Sequence, residues 1–245
     1  MRHIFSVGTA ILLFIGSGHA GEIKSVPGTT LSYYVVNPRE LPKTAFILFP
    51  GGDGVGHVIS ENGSIKLSKN FLVRTSDVYA KNFTTVIIDS SKGLTDQYRN
   101  SPDQARHIQI IIEDLSRRGV NNFFLVGTSR GSLSAASLGA MLSDARIKGI
   151  ILTASVNKID YVDLHRIKVP VLFVHHMNDG CRFSSYNEVK KTSQRLSQST
   201  KVTFIDITGG LPAKSDHCQA LSPHGFFGVE NSATDAIISW ARSHM

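Results

Sequence analysis

The sequence has few cysteines, no dense basic block and no internal repeat, and each absence narrows the possible classes of protein. Two cysteines in 245 residues cannot form a tetrahedral zinc site without further ligands. No run of lysine and arginine and no nucleic-acid motif accompanies the formal net charge of +7, so we interpret it as general surface charge and expect no nucleic-acid partner. No repeat, low-complexity tract or linker divides the chain, and its length is compatible with one α/β domain.

The first twenty residues have the pattern of a targeting segment. Arg2 supplies a positive charge, and residues 4–15 are mostly apolar. Gly18 and Ala20 are small, as the −3 and −1 positions of a signal-peptide cleavage site require. The apolar stretch is too short to span a bilayer comfortably, although a retained anchor is the alternative. We therefore predict a signal peptide at 1–20, export to the periplasm or beyond the cell, and a mature soluble domain at 21–245 with no membrane span.

If the protein is exported, its two cysteines, Cys181 and Cys218, lie in an oxidising compartment. An even number in an oxidising compartment predicts one disulfide, and two unpaired thiols are the alternative. His175, His176 and His217 could in principle add metal ligands, but their spacing matches no zinc motif. We predict a disulfide and no metal site.

Apolar runs alternate with amphipathic stretches along the rest of the chain. Hydrophobic residues make up 41% of the sequence, enough for a large buried core. The runs predict a hairpin or edge strands within residues 22–37 and strands at 44–49, 84–88, 123–128, 147–152, 169–174 and 202–205. They predict helices at 71–83, from 102 to about 119, directly after residue 129, at 186–197 and at the C terminus. This alternation predicts a mostly parallel sheet covered by helices. About sixteen residues separate the strands at 147–152 and 169–174, which leaves little room for a lid.

The most informative motif is Gly-Thr-Ser-Arg-Gly at residues 127–131. It joins a predicted strand to a predicted helix, which is the context in which Gly-x-Ser-x-Gly places a nucleophilic serine at the apex of a sharp turn. An ordinary turn with a capping serine is the alternative reading of Ser129. A nucleophilic serine also needs a histidine base and an acid that orients it.

Candidates for both partners follow later strands. Asp179 comes just past the strand at 169–174, where open parallel sheets assemble their sites, and we prefer it to Asp206 and Asp216. His224 and His217 lie between the last strand and the last helix. We prefer His224 as the base and retain His217 as the alternative. A Cys181–Cys218 bond would tie the acid loop to the histidine loop, and we hypothesise that it preorganises both.

An acyl-transfer site also needs amides that face the developing negative charge. The backbone of Arg130 supplies one candidate at the start of the helix. The glycine-rich loop at 51–54 supplies the second, for which Gly52 is the best candidate because a carbonyl oxygen can approach glycine closely. An ordinary flexible loop is the alternative.

The order of glycine-rich loop, Gly-x-Ser-x-Gly, acid and histidine resembles the α/β-hydrolase family over nearly the whole mature chain. The resemblance matches Ser129 to the nucleophile, Asp179 to the acid, His224 to the base, and Gly52 and Arg130 to the oxyanion positions. It implies a sheet of about eight strands with helices on both faces, a minimal lid and no cofactor, as in compact dienelactone-hydrolase-like or small esterase members. The long segment before His224 departs from the usual pattern.

The expected function is that of a serine hydrolase acting on small-molecule esters through an acyl-enzyme. An amidase or peptidase is the alternative within enzymes. An exported binding protein on a degenerate hydrolase scaffold is the alternative outside them, because a fold does not fix a function.

Overall fold

A computed structural model describes residues 21–37, 39, 41–61, 64–196 and 200–245 of the chain. The predicted signal peptide at 1–20 lies outside these residues and stays a prediction. In the described part, one eight-stranded sheet forms the centre of the molecule, and a two-stranded hairpin lies outside it.

The ten strands are numbered in chain order. They are β1 (Gly21–Ser25), β2 (Leu31–Val36), β3 (Thr44–Phe49), β4 (Val58–Glu61), β5 (Ser64–Leu67), β6 (Thr84–Ser90), β7 (Asn122–Thr128), β8 (Ile147–Thr153), β9 (Val171–His176) and β10 (Val202–Ile207). The order across the large sheet is β1-β2-β6-β3-β7-β8-β9-β10, and β4 pairs with β5. In the large sheet β2 runs opposite to the other seven strands, and every pair that does not include β2 is parallel, so the sheet is mostly parallel as predicted.

Seven helices accompany the strands in the described residues. They are α1 (Phe71–Arg74), α2 (Ser76–Ala80), α3 (Asp96–Arg99), α4 (Pro102–Arg117), α5 (Gly131–Met141), α6 (Tyr186–Leu196) and α7 (Glu230–Arg242). Single 3₁₀ turns lie at Asn157–Tyr161, Leu164–Arg166 and Pro223–Gly225.

The core lies on both faces of the large sheet, as an α/β layer arrangement requires. Strand β3 shows this most clearly, because every one of its residues is buried. Its alternate residues Ile47 and Phe49 join the cluster that contains α4 and α5, while Phe46 and Leu48 join the cluster that contains α1, α2 and α7. A central strand buried on both faces reads in the sequence as an unbroken apolar run, which is why β3 was predictable.

Helix α5 is buried from Gly131 through Ala140. Small residues let it approach the sheet, since a Cβ placed on Gly139 would lie 1.9 Å from a methyl group of Ile150. Helix α5 follows β7 directly, so its N-terminal end stays at the carboxyl edge of the sheet. This edge is where the candidate site lies.

One local prediction was wrong, and one element was missed. The helix predicted over 71–83 is two short helices, because at Thr75 the backbone leaves helical geometry (φ −101°, ψ 4°) and the hydroxyl of Thr75 bonds the carbonyl of Phe71. The hairpin of β4 and β5 was not predicted at all. Its strands are four residues each and half of their residues are polar, so they are too short and too weakly apolar to carry the signal that marks a strand.

The connection between β8 and β9 contains only two 3₁₀ turns, so little covers the carboxyl edge of the sheet there. None of the helices in the described part of the chain has the length and apolar character needed to cross a bilayer.

Candidate active site

Ser129 lies at the apex of the turn between β7 and α5. Its φ angle is +51°, a left-handed conformation that side chains other than glycine rarely adopt. Its amide donates to the carbonyl of Thr153 at 3.0 Å, and its carbonyl accepts from the amide and the hydroxyl of Ser132. The backbone of the turn is thus held by its neighbours, and the Ser129 side chain projects above the carboxyl edge of the sheet.

The two glycines of the motif are there for steric reasons. A Cβ on Gly127 would lie 2.3 Å from the carbonyl oxygen of Gly131, and a Cβ on Gly131 would lie 1.9 Å from the carbonyl oxygen of Phe49. Both contacts are with backbone atoms, which cannot move aside cheaply. The motif therefore makes the turn possible as well as marking its position.

The structure brings Ser129, His224 and Asp179 into one hydrogen-bonded chain. His224 Nε2 lies 2.9 Å from Ser129 Oγ, and His224 Nδ1 lies 2.8 Å from Asp179 Oδ2. When Asp179 is ionised it accepts a hydrogen bond from Nδ1–H, so the proton stays on Nδ1 and Nε2 has a lone pair that can accept the serine proton. This is the connectivity that activates a serine hydroxyl.

Asp179 is buried among donors. Its side chain has no exposed surface, and its Oδ1 accepts from the amide of Cys181 at 2.9 Å. Burial opposes ionisation, but hydrogen bonds from His175, His224 and that amide outweigh it and hold the pKa of the Asp179 carboxyl below its usual range. Asp179 therefore carries a negative charge next to His224 at neutral pH.

His175 is a second partner of Asp179 that the sequence did not single out. Its Nε2 lies 3.3 Å from Asp179 Oδ2 and 3.1 Å from the carbonyl of Ser184, while its Nδ1 is buried without a partner among the described residues. The sequence marked His175 only as a possible metal ligand. It gave no sign that a side chain four residues earlier on β9 would turn back to hold the acid.

His224 belongs to the 3₁₀ turn at Pro223–Gly225 and is 4% exposed. The turn is followed by Phe226, whose left-handed φ of +58° lets its buried ring pack on Phe71 at a centroid distance of 4.7 Å. From α1, Arg74 donates to the carbonyl of Gly225 and pairs with Glu230. Contacts from α1 thus hold the histidine turn in place from outside its own segment.

The structure separates His224 from the other candidates. His217 is exposed, and a Cβ on Gly180 would lie 2.8 Å from its ring, but among the described residues it makes no hydrogen bond to Ser129 or Asp179. Asp206 pairs with Tyr186 and Lys190, and Asp216 is exposed.

The glycine-rich loop after β3 faces Ser129. A Cβ on Gly51 would lie 2.8 Å from Ser129 Cβ, so only glycine fits beside the serine. The next residue, Gly52, has a left-handed φ of +62°. Within the described part of the chain, the amides of Gly52 and Arg130 donate no hydrogen bond, which leaves both free to bind an oxygen at Ser129.

Two guanidinium groups hold the carbonyl of Gly52. Arg99 Nη2 lies 3.2 Å from this oxygen and Arg130 Nη1 lies 3.3 Å from it. Burial and the nearby Arg130 lower the pKa of Arg99 to about 10, so Arg99 is still charged at neutral pH. Arg99 is 1% exposed and also donates to Ser134. No local pattern in the sequence marks Arg99, since its contacts join segments far apart along the chain.

Cys181 and Cys218 are at disulfide-bonding distance, 2.03 Å between sulfur atoms. Their bond joins the segment after β9, which carries Asp179, to the irregular segment after β10, which leads to His224. The predicted pairing thus links the two loops that supply the acid and the histidine.

No protein-family model matches this sequence, and no curated protein matches it either. Solved structures do match its fold. Carboxylesterase CesB from Bacillus subtilis is 10% identical, with 93% of each chain covered and a TM-score of 0.60. XC6422 from Xanthomonas campestris, an α/β serine hydrolase without a lid, is 13% identical, with 93% of this chain and 97% of that chain covered and a TM-score of 0.56. The enol-lactonase from Burkholderia xenovorans LB400 is 13% identical, with 90% and 99% covered and a TM-score of 0.58.

At these identities the similarity shows the fold alone. The chain has the α/β-hydrolase fold, with an eight-stranded, mostly parallel sheet and little over its carboxyl edge. The predicted fold class is confirmed.

Proposed function

We propose that this protein is a serine hydrolase that cleaves ester bonds through an acyl-enzyme on Ser129. The observation that carries the proposal is the unbroken chain of hydrogen bonds from Asp179 through His224 to Ser129. A carboxylesterase and an enol-lactonase among the proteins of similar fold support an ester-type substrate. Two amides without partners beside the serine add support for acyl transfer, since a tetrahedral oxyanion needs such donors.

In the acylation step, Ser129 Oγ attacks the carbonyl carbon of the ester while His224 Nε2 takes the hydroxyl proton. The carbonyl oxygen becomes an oxyanion between the amides of Gly52 and Arg130. Each such donor is worth about 3–4 kcal/mol of barrier in comparable sites. Asp179 stabilises the imidazolium that forms. The C–O bond to the alcohol then breaks, and the alcohol leaves with the proton from His224.

In the deacylation step, a water molecule takes the place of the alcohol. His224 Nε2 accepts one proton from the water as its oxygen attacks the acyl carbon, and the second tetrahedral intermediate uses the same two amides. Its collapse breaks the bond to Ser129 Oγ, which regains its proton from His224. The products are a carboxylic acid and the free enzyme, and the cycle needs no cofactor.

Turnover of a short-chain nitrophenyl ester tests the proposal. We expect Ser129→Ala to lower kcat by about 10⁴-fold or more, because the nucleophile is lost. Ser91→Ala, at an exposed serine outside the site, is the matched control and should keep wild-type turnover. Undiminished turnover in Ser129→Ala would contradict the proposal. An intact enzyme that cleaves an amide and not its matched ester would favour the amidase alternative, and no turnover of either would favour a binding protein.

We also propose that the mature protein acts outside the cytoplasm. This rests on the pattern of residues 1–20 together with the Cys181–Cys218 pair, which is suited to an oxidising compartment. Mass spectrometry of the protein recovered from cell fractions should show a chain that begins at Gly21, and a cytoplasmic chain that retains Met1 would contradict it.

A further inference from the structure

Two clefts meet at Ser129, and they differ in what lines them. The larger has a volume of about 540 Å³ and its apolar walls are Val156, Phe183 and the disulfide-bonded cysteines. The smaller has a volume of about 300 Å³ and lies on the other side of the serine. Ser129, Gly52 and Cys218 line both clefts, so a substrate held at the serine would extend into each.

His224 lines the smaller cleft and not the larger one. In the proposed reaction, the group that leaves must receive its proton from His224 Nε2, so the alcohol has to lie within hydrogen-bond reach of that ring. The acyl group has no such requirement and remains bound to Ser129 after the alcohol departs. The position of His224 therefore assigns the smaller cleft to the alcohol and the larger cleft to the acyl group.

The larger cleft suits an apolar group. Its charged residues are paired, since Asp96 pairs with both Arg130 and Lys158 at 2.8 and 2.6 Å, and Arg130 also pairs with Asp53 outside the cleft, so the four charges sum to zero. Val156 is buried, whereas Phe183 is 55% exposed and presents its ring at the opening. When an apolar acyl chain covers this surface, apolar area of both the chain and the protein is removed from water, which favours binding.

The smaller cleft is the more polar of the two, although Phe71 and Ala220 also line it. Among the described residues the ammonium of Lys69 has no ion-pair partner, and the side-chain nitrogens of Asn70 and Gln219 donate no hydrogen bond. The backbone amide of Gln219 already donates to the carbonyl of Asp216 at 2.9 Å. Besides His224, this cleft contains His57. It adds no positive charge, because burial lowers the pKa of His57, and both of its ring nitrogens already have partners in Ser68 and Gly51. These groups are mainly donors, so a ligand there should offer several acceptor oxygens.

We propose that the two clefts divide the substrate, so that the enzyme cleaves esters of an apolar acid with a compact, hydroxyl-bearing alcohol of the polyol class. This inference rests on the proposed function and names its substrate class. The larger cleft selects the acyl chain and the smaller cleft selects the alcohol.

The selection of the alcohol and the selection of the acyl chain can be measured separately, because they affect different kinetic steps. Butyrate esters of glycerol and of hexanol share one acyl-enzyme, so the alcohol can affect acylation but not deacylation. We expect wild-type enzyme to prefer glyceryl butyrate in kcat/KM. Lys69→Met should lower kcat/KM for glyceryl butyrate by on the order of tenfold, with little effect on hexyl butyrate and none on the deacylation rate constant.

Phe183→Ala should give the complementary result with nitrophenyl esters. It should lower kcat/KM for octanoate by on the order of tenfold relative to acetate and should also change the deacylation rate, because the acyl chain is still in place. Lys92→Met and Tyr161→Ala are matched controls, since both residues are exposed and line neither cleft.

The inference and the proposed function fail in different ways. If wild-type enzyme hydrolyses none of these esters, the proposed function is wrong and the inference falls with it. If it hydrolyses them but Lys69→Met changes acyl-chain selectivity, or Phe183→Ala changes alcohol selectivity, the assignment of the clefts is wrong while the hydrolase remains. Equal effects of either variant on all esters would also overturn the assignment.

Discussion

The turn that carries Ser129 and the loops that carry Asp179 and His224 differ in what holds them. The turn belongs to a five-residue motif that runs from the end of β7 to the start of α5, and it is fixed by steric contacts of the motif's glycines with the neighbouring backbone. His224 follows an irregular segment that begins after β10, and it depends on the disulfide, on Arg74 and on Phe226 for its place. One region is fixed largely by local sequence, the other by contacts between distant segments.

This difference predicts how each region responds to change. A substitution in the turn should disturb folding, because the same backbone contacts join β3, β7 and α5 at the centre of the sheet. A change in the loops should leave the sheet intact and alter the position of the acid and the histidine. A substitution in the turn and removal of the disulfide between the loops test this division, and the turn should show the larger loss of stability.

Gly131→Ala should have the largest effect on stability. The added methyl would lie 1.9 Å from the carbonyl oxygen of Phe49 and 2.7 Å from that of Pro50, and neither atom can move without shifting β3. We expect a loss of more than about 4 kcal/mol in the free energy of unfolding, measured by urea denaturation, or a failure to fold.

The matched control is Gly93→Ala. Nothing lies within 4 Å of a Cβ at Gly93, and the φ angle of Gly93 is not left-handed. The free energy of unfolding of this variant should therefore stay within about 0.5 kcal/mol of wild type. Wild-type stability in Gly131→Ala would show that the turn is not packed as closely as these distances indicate.

Replacing both cysteines by serine should have a smaller effect that acts on the loops. The bond closes a loop of 37 residues, for which the loss of loop-closure entropy corresponds to about 4 kcal/mol. We expect a lower Tm and also a lower kcat at a temperature well below Tm, because Asp179 and His224 lose a shared constraint.

The kinetic part of that prediction is what separates two roles for the disulfide. If Cys181→Ser/Cys218→Ser lowers Tm but leaves kcat unchanged at low temperature, the bond stabilises the fold without organising the site. Chemical reduction of the wild-type protein should reproduce the result of the double variant, which excludes an effect of the introduced hydroxyl groups.

The same division explains what could be predicted from the sequence. Strands such as β3 and β7 carry unbroken apolar runs, and the glycines flanking Ser129 reflect a local steric need, so both were predictable. Asp179 could be nominated because its place just after β9 follows from the topology of parallel sheets. These features depend on residues close together in the chain.

Features that depend on distant contacts were missed or left open. Nothing local distinguishes Arg99 from a surface arginine, yet it is buried and bonds the carbonyl of Gly52 from 47 residues away. The sequence left His217 as an alternative to His224, since both lie in the same segment after β10. Only the tertiary contacts of that segment bring His224 to Ser129 and leave His217 exposed.

The most direct test of the account is the rate at which a fluorophosphonate modifies Ser129 in two histidine variants. This reaction needs an activated serine but no particular substrate. We predict that His224→Ala slows labelling by about 1,000-fold, because the hydroxyl loses its base, and that His217→Ala labels at the wild-type rate. The opposite pattern, or equal rates in both variants, would contradict the claim that His224 links Asp179 to a nucleophilic Ser129.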